Sequence, residues 1–171
     1  MNNSYAYLLL RFLVLVAAQV LLVDHINLGG YINPPVYILF ILLLPFQIPG
    51  WLLLVSAFFL GLSIDLFSNS TGLHAASTVF VAFMRPAIIK WVGAPAEYEE
   101  HLQPGIADMG FRWFAFYSFF IILTHQFVLS LLESFFLAEI GLIFLRMILS
   151  TIVTLIFILI INYLFMREKK R

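Results

Sequence analysis

Apolar runs of near-membrane length, separated by short polar breaks, fill this chain. A helix that crosses the hydrocarbon core of a bilayer needs about 20 mainly apolar residues. The first run covers residues 5–23 and ends where Asp24-His25-Ile26-Asn27-Leu28-Gly29-Gly30 turns polar and flexible. Pro34-Pro35 opens a second run, 36–48, which is short and broken by Pro45 and Pro49, so it predicts a kinked or partly re-entrant passage. Runs 50–67 and 72–92 flank the tight polar turn Ser68-Asn69-Ser70-Thr71, and 111–137 and 140–166 complete the set. As a helix the last would be about 40 Å long, so it must tilt or protrude. Segment 93–110, with Pro95, Pro104 and four acidic residues, is the long hydrophilic connection. The pattern predicts an all-α integral membrane protein, a six-helix transmembrane bundle forming a single domain over 1–171.

Composition strengthens that reading. The chain is 63% apolar and 11% charged, against roughly 45–50% and about 25% in an ordinary soluble domain. A soluble enzyme, a disordered chain and a collagen-like chain are excluded. With no cysteine there is no disulfide scaffold and no soft-metal thiolate site. Nine basic residues balance nine acidic ones, so net charge points to no nucleic-acid partner. The first charge is Arg11, inside the apolar run, and no small-x-small cleavage site precedes Asp24; the first span is expected to be uncleaved. Arg167, Lys169, Lys170 and Arg171 form a basic tail over 167–171, and Lys90 and Arg112 flank the 93–110 loop. The opposite connections, Asp24–Pro35, Ser68–Thr71 and Ala138–Glu139, contain no Lys or Arg. Basic residues are retained in the cytoplasm, so six spans put both termini and the long loop there.

Charges inside spans carry the remaining information, because each costs at least about 2.5–3.5 kcal/mol at mid-bilayer. Asp65, Glu133 and Arg146 fall towards the outer end, and Arg11 and Arg85 in the inner half. His74, Thr78 and Arg85 share one helical stripe, Gln126, Ser130 and Glu133 another, and Arg146, Ser150 and Thr154 a third. Such stripes predict an outer polar cluster of Asp65, His74, Glu133 and Arg146 facing the bundle interior or a hydrated cavity. Plain alternatives stand beside it. Arg11 snorkels to the headgroups; Asp65 is an ordinary helix-end carboxylate; Arg85, followed by Pro86, reaches the inner interface; Glu133 and Arg146 form a fold-stabilising pair.

No enzyme signature is present: no glycine-rich phosphate loop, nucleophile elbow or paired-His zinc helix. Glu97 and His101 have a metal-like spacing, but two ligands in a solvated loop do not close a site. The acidic run Glu97-Tyr98-Glu99-Glu100 reads as a hydrated loop. Trp51, Trp91 and Trp113 lie near predicted span ends, where amphipathic rings prefer the interface. No catalytic, cofactor or metal residue is assigned.

The segment Gly61-Leu62-Ser63-Ile64-Asp65-Leu66-Phe67, then Ser68-Asn69-Ser70-Thr71-Gly72-Leu73-His74-Ala75, predicts a compact helical hairpin. Gly61 allows close helix approach and Gly72 lets the chain reverse. This segment resembles the G-x3-D…G-L-H-A hairpin of the rod shape-determining protein MreD family, and the resemblance in length, span spacing and basic tail extends over most of the chain. Gly61, Asp65, Gly72 and His74 match the family pattern, and Arg85 a weaker tendency; Arg11, Glu133 and Arg146 rest on topology. The resemblance implies a six-helix bundle similar to the substrate-binding components of energy-coupling transporters. It also implies a non-enzymatic scaffold in the bacterial inner membrane, bound to MreC and sharing an assembly with MreB, RodA and a penicillin-binding transpeptidase. Partner docking on the Gly61–Gly72 hairpin is the expectation. Two rivals remain. One is a small-solute-binding subunit of an energy-coupling-type transporter, although Ala6, Ala17 and Ala18 do not make that class's alanine-spaced face. The other is an intramembrane enzyme or proton-coupled carrier using Asp65, His74 or Glu133.

Overall fold

Hydrocarbon offers a backbone no hydrogen-bond partner, so long apolar stretches close their own bonds as helices. The computed structural model describes residues 2–26, 33–93, 102–133 and 140–165, and these contain helices and no strand. Helix α1 spans Asn2–Leu21, α3 Gly50–Ser68, α4 Leu73–Val92, α6 Phe111–Glu133 and α7 Ile140–Leu164. Among the described residues, five helices are long and apolar enough to cross a membrane, as expected of a multi-pass membrane protein. Residues 134–137 of the predicted fifth span lie outside the described residues. So do the acidic run 97–100, His101, Ala138–Glu139 and the 167–171 tail.

The surface inverts that of a water-soluble fold. Leu10, Phe59, Phe83, Leu145 and Ile156 are exposed, while Gln19, Asp65, Thr78, Arg85, His125 and Thr154 are buried. Along α4 the buried positions His74, Thr78, Val81, Ala82, Arg85, Ile88 and Ile89 follow helical spacing, so its polar stripe faces inward. On α6, Phe114, Ser118, Ile121, His125 and Leu129 do the same.

Residues 36–48 depart from an ordinary span. A 3₁₀ turn at Val36–Ile38 leads into α2, only Leu39–Leu42, and the chain is then irregular up to α3. These seven helical residues rise about 11–12 Å, far short of the roughly 30 Å hydrocarbon core. Pro45 and Pro49 prevent continuation. Val36 bonds Gln19 and Leu43 bonds Arg11, so the segment runs antiparallel to α1. It is apolar all round, and Tyr37, Ile38, Phe40, Ile41, Leu42 and Leu44 are all buried at the centre of the bundle.

A helix ending inside a bundle strands its terminal backbone groups. At the start of the segment, Gln19 Oε1 accepts from the Val36 and Tyr37 amides (2.8 and 3.3 Å), and Gln19 Nε2 donates to Pro34 O (3.3 Å) and Asp24 Oδ1 (2.7 Å). At its end, four consecutive carbonyls find side-chain donors. Tyr117 donates to Leu42 O (3.3 Å), Arg11 to Leu43 O (3.0 Å), and Arg85 to Leu44 O and to Pro45 O (3.5 Å). Arg85 Nε also donates to Tyr117 Oη at 2.8 Å. Arg85 therefore does not reach the inner interface; it is 1% exposed and bonded to the broken helix. Arg11 is half-buried, with its guanidinium 4.7 Å from the Tyr7 ring centroid, and so is held rather than freely snorkelling.

The 93–110 connection also contains a short helix, α5 (Ile106–Met109), which the sequence pattern omits. Ile106 is buried, and its amide donates to Asn162 Oδ1 (3.0 Å), joining this connection to the end of α7. This end of the bundle, with the start of α1, is the terminal end; the α3–α4 turn marks the opposite, hairpin end.

Helices α3 and α4 pack closely at Gly61. A Cβ there would fall 2.3 Å from Thr78 Oγ1, 2.4 Å from Ala75 Cα and 2.5 Å from His74 O. Two of those atoms are backbone and cannot step aside. Gly61→Ala should therefore lower stability by about 1–3 kcal/mol, read as earlier thermal unfolding of the purified protein in detergent. Gly141→Ala, where nothing lies within 4 Å, should leave unfolding unchanged or slightly later.

Candidate functional site

The hairpin end is organised first by Asp65. Helix α3 stops at Asn69, which adopts a left-handed φ of 54°, and α4 starts from Gly72 at φ 84°. Gly72 has no side chain with which to cap the first amides of α4. Asp65, from the preceding helix, does so instead: Oδ1 accepts from the His74 amide (3.1 Å) and Ser70 Oγ (2.6 Å), and Oδ2 from the Ala75 amide (2.9 Å). These amides are the ones an N-cap side chain ordinarily serves, and a carboxylate at a helix N-terminus also gains from the backbone dipoles. Thr78 Oγ1 donates across the same interface to Ala57 O at 2.9 Å.

Beside this hairpin lies a partly open cavity of about 140 Å³. Its lining includes Gln19, Tyr37, His74, Gln126, Glu133 and Arg146. The predicted cluster is thus divided. His74, Glu133 and Arg146 share the cavity, whereas Asp65 lies outside its lining with both oxygens engaged in the turn. Glu133 and Arg146 are exposed at the rim rather than buried, and the Arg146 charge acts on Glu133. The cost of desolvating a fully buried pair therefore does not arise at these positions.

Below the rim, Tyr37 Oη bridges two histidines, 2.8 Å from His74 Nδ1 and 3.0 Å from His125 Nε2. Both imidazoles also meet the phenol ring edge to face. One hydroxyl proton serves one ring, so the other ring must donate to the phenol oxygen. His125 Nδ1 is buried without a partner among the described residues. A stranded lone pair is tolerated better than a stranded N–H, which favours donation from His125 Nε2–H to Tyr37 and from Tyr37 to His74 Nδ1. His74, the ring that lines the cavity, then carries its proton on Nε2.

Gln126 completes the wall. It is 4% exposed, and its Nε2 has no partner among the described residues. The cavity thus combines an amide donor and an imidazole donor with a guanidinium and the carboxylates of Glu133 and Asp24. That set can hold a small polar group by charge and hydrogen bonds. Among the described residues no three His, Asp or Glu side chains form a metal-binding group.

Sequence reasoning missed Gln19, Tyr37 and His125 as members of this region. Gln19 and Tyr37 are single polar groups in apolar runs, His125 sits between Thr124 and Gln126, and only the broken course of residues 36–48 brings Tyr37 between two helices. Gln19 offers the clearest retrospective signal, as an amide within the first span. No family model matches the chain, and neither a curated protein nor a solved structure is significantly similar to it.

The cap geometry yields a graded expectation. Asp65→Ala strands two buried amides and should cost about 1–3 kcal/mol; Asp65→Asn retains one acceptor and should cost less. Arg85→Leu, which strips donors from Leu44 O and Pro45 O, should reduce recovery of monodisperse protein more than Arg11→Leu does. Thermal unfolding and size-exclusion recovery in detergent measure both series.

Proposed function

We propose that this protein is a non-enzymatic membrane scaffold subunit of the bacterial cell-elongation machinery, of the MreD kind. One observation carries the reading: every residue of the family-like hairpin has an architectural task. Gly61 permits helix contact, Gly72 reverses the chain, Asp65 caps α4, and His74 anchors the Tyr37 bridge. A motif devoted to holding two helices together suits a component whose output is a shaped surface. In this reading MreC is the direct partner, its single span packing by van der Waals contact. MreB, RodA and a penicillin-binding transpeptidase belong to the same assembly.

The same proposal includes a six-pass topology in the inner membrane, counting the broken 36–48 segment as a crossing, with a bundle of the energy-coupling-component type. Support comes from the antiparallel course of that segment beside α1 and from Lys90 and Arg112 at the terminal end. Both termini are then cytoplasmic by the retention of basic residues.

The cavity weighs against the rival reading, a small-solute-binding subunit of an energy-coupling-type transporter. Its volume of about 140 Å³ is well below the roughly 300–1,000 Å³ of pockets for drug-sized ligands, so a vitamin-sized solute fits poorly.

Depletion in a rod-shaped host that depends on this gene should give rounded cells or arrested growth, and MreC should co-purify with the tagged protein. Normal rods at a normal growth rate, with no MreC recovered, would refute the scaffold reading. Reporter fusions after Arg112 and at residue 171 should both report the cytoplasm.

A further inference from the structure

The cavity at the hairpin end has a chemistry that the scaffold reading does not use. Its volume of about 140 Å³ suits a small group rather than a whole metabolite. Gln126 supplies the most specific signal. Its side chain is 96% buried, it lines the cavity, and its amide nitrogen has no partner among the described residues. A buried donor left without an acceptor costs about 1–3 kcal/mol, so a group with an accepting oxygen is favoured there. The Tyr37 bridge leaves a second donor, the Nε2–H of His74, on the same lining. Arg146 adds a guanidinium at the rim.

Donors alone would suit a simple anion, but among the described residues the lining carries more negative than positive charge. Asp24 and Glu133 contribute two carboxylates against one guanidinium, and an isolated anion would meet net repulsion. A ligand with an oxyanion and a protonated amine satisfies both halves. The amine must retain its N–H groups, because the carboxylates bind by accepting protons. A quaternary ammonium would need aromatic faces around it, and Tyr37 offers the cavity region a hydroxyl already committed to two histidines.

Position indicates where such a group is found. The cavity lies between the end of α3, the start of α4, the end of α6 and the start of α7, the level at which these membrane helices terminate. Phospholipid headgroups occupy that level.

We propose that this cavity is a binding site for a phosphate–primary-ammonium zwitterion, the headgroup chemistry of an aminophospholipid. The phosphate oxygens take the Gln126 and His74 donors with Arg146, and the ammonium sits between Glu133 and Asp24. Lipid headgroup and free phosphoethanolamine share this chemistry, and the acyl chains distinguish them.

The test uses the full-length protein purified in a lipid-free maltoside detergent. Titrations with dihexanoyl-phosphatidylethanolamine, its phosphatidylcholine and phosphatidylglycerol counterparts and free O-phosphoethanolamine are read by thermal unfolding and native mass spectrometry. The ethanolamine lipid should bind at least about tenfold more tightly than the choline and glycerol lipids, the effect of losing one charged hydrogen bond. Gln126→Leu and Arg146→Gln, which remove donors to the phosphate common to all three lipids, should each weaken binding of the ethanolamine lipid about tenfold. Because Gln126 is buried, Arg146→Gln at the exposed rim decides the matter if Gln126→Leu does not fold. Selective binding of free O-phosphoethanolamine without the lipid would support the site and assign it to a soluble source. Equal binding of all three lipids, no binding of any probe, or an affinity for the ethanolamine lipid unchanged in Arg146→Gln would overturn the proposal. MreC co-purification is a separate readout, so this site and the scaffold reading stand or fall independently.

Discussion

Four backbone carbonyls at the end of a short interior helix dictate much of this architecture. In water the carbonyls of Leu42, Leu43, Leu44 and Pro45 would be solvated at little cost. Inside an apolar bundle each needs a donor; Pro45 O takes one from the nearby Ile48 amide (3.4 Å), and other helices supply the rest. Arg85, Arg11 and Tyr117 are those donors, and their presence accounts for two cations that hydropathy alone would treat as liabilities. Arginine suits the task because its planar fork reaches several acceptors from one position. Here it meets Leu44 O, Pro45 O and Tyr117 Oη together. The carbonyl dipoles in turn offset the guanidinium charge, as intramembrane cations commonly require.

The opposite end of the bundle solves the same kind of problem with an acid. Amides at the start of α4 lack intrahelical acceptors, and Asp65 supplies them from α3. Cations thus attend stranded carbonyls at one level and a carboxylate attends stranded amides at the other. The polar residues of this protein mainly complete the backbone of neighbouring segments. Around Gln126, His74, Glu133 and Arg146 polarity exceeds what the backbone consumes, and there the cavity opens.

Long, strongly periodic helices were legible in the sequence. The stripe of His74, Thr78 and Arg85 points inward because polar groups on α4 have nowhere else to go, and the bounds 50–67 and 72–92 differ from the helices by a residue. The tight Gly61–Gly72 hairpin was equally visible, since its glycines and turn residues act locally. Other features depended on tertiary context. Nothing local reveals that Asp65 turns back to α4 rather than towards Arg146, because a carboxylate fits either role. The 36–48 segment read as a compromised span, yet its replacement by a short central helix depends on donors more than 30 residues away. Tyr37 and His125 were overlooked for the same reason: a lone phenol and a lone imidazole acquire meaning only when a third element brings them together.

The broken segment has a consequence for the order in which the protein is made. Residues 36–48 are synthesised before Arg85 and Tyr117. Until α4 and α6 are in place, the carbonyls of Leu42, Leu44 and Pro45 lack their side-chain donors, and the short helix is too brief to cross the lipid alone. Its final seat must therefore be taken after the later helices have entered the bilayer. Assembly is then stepwise, the early chain completing its packing only when α4 and α6 bring the donors it lacks.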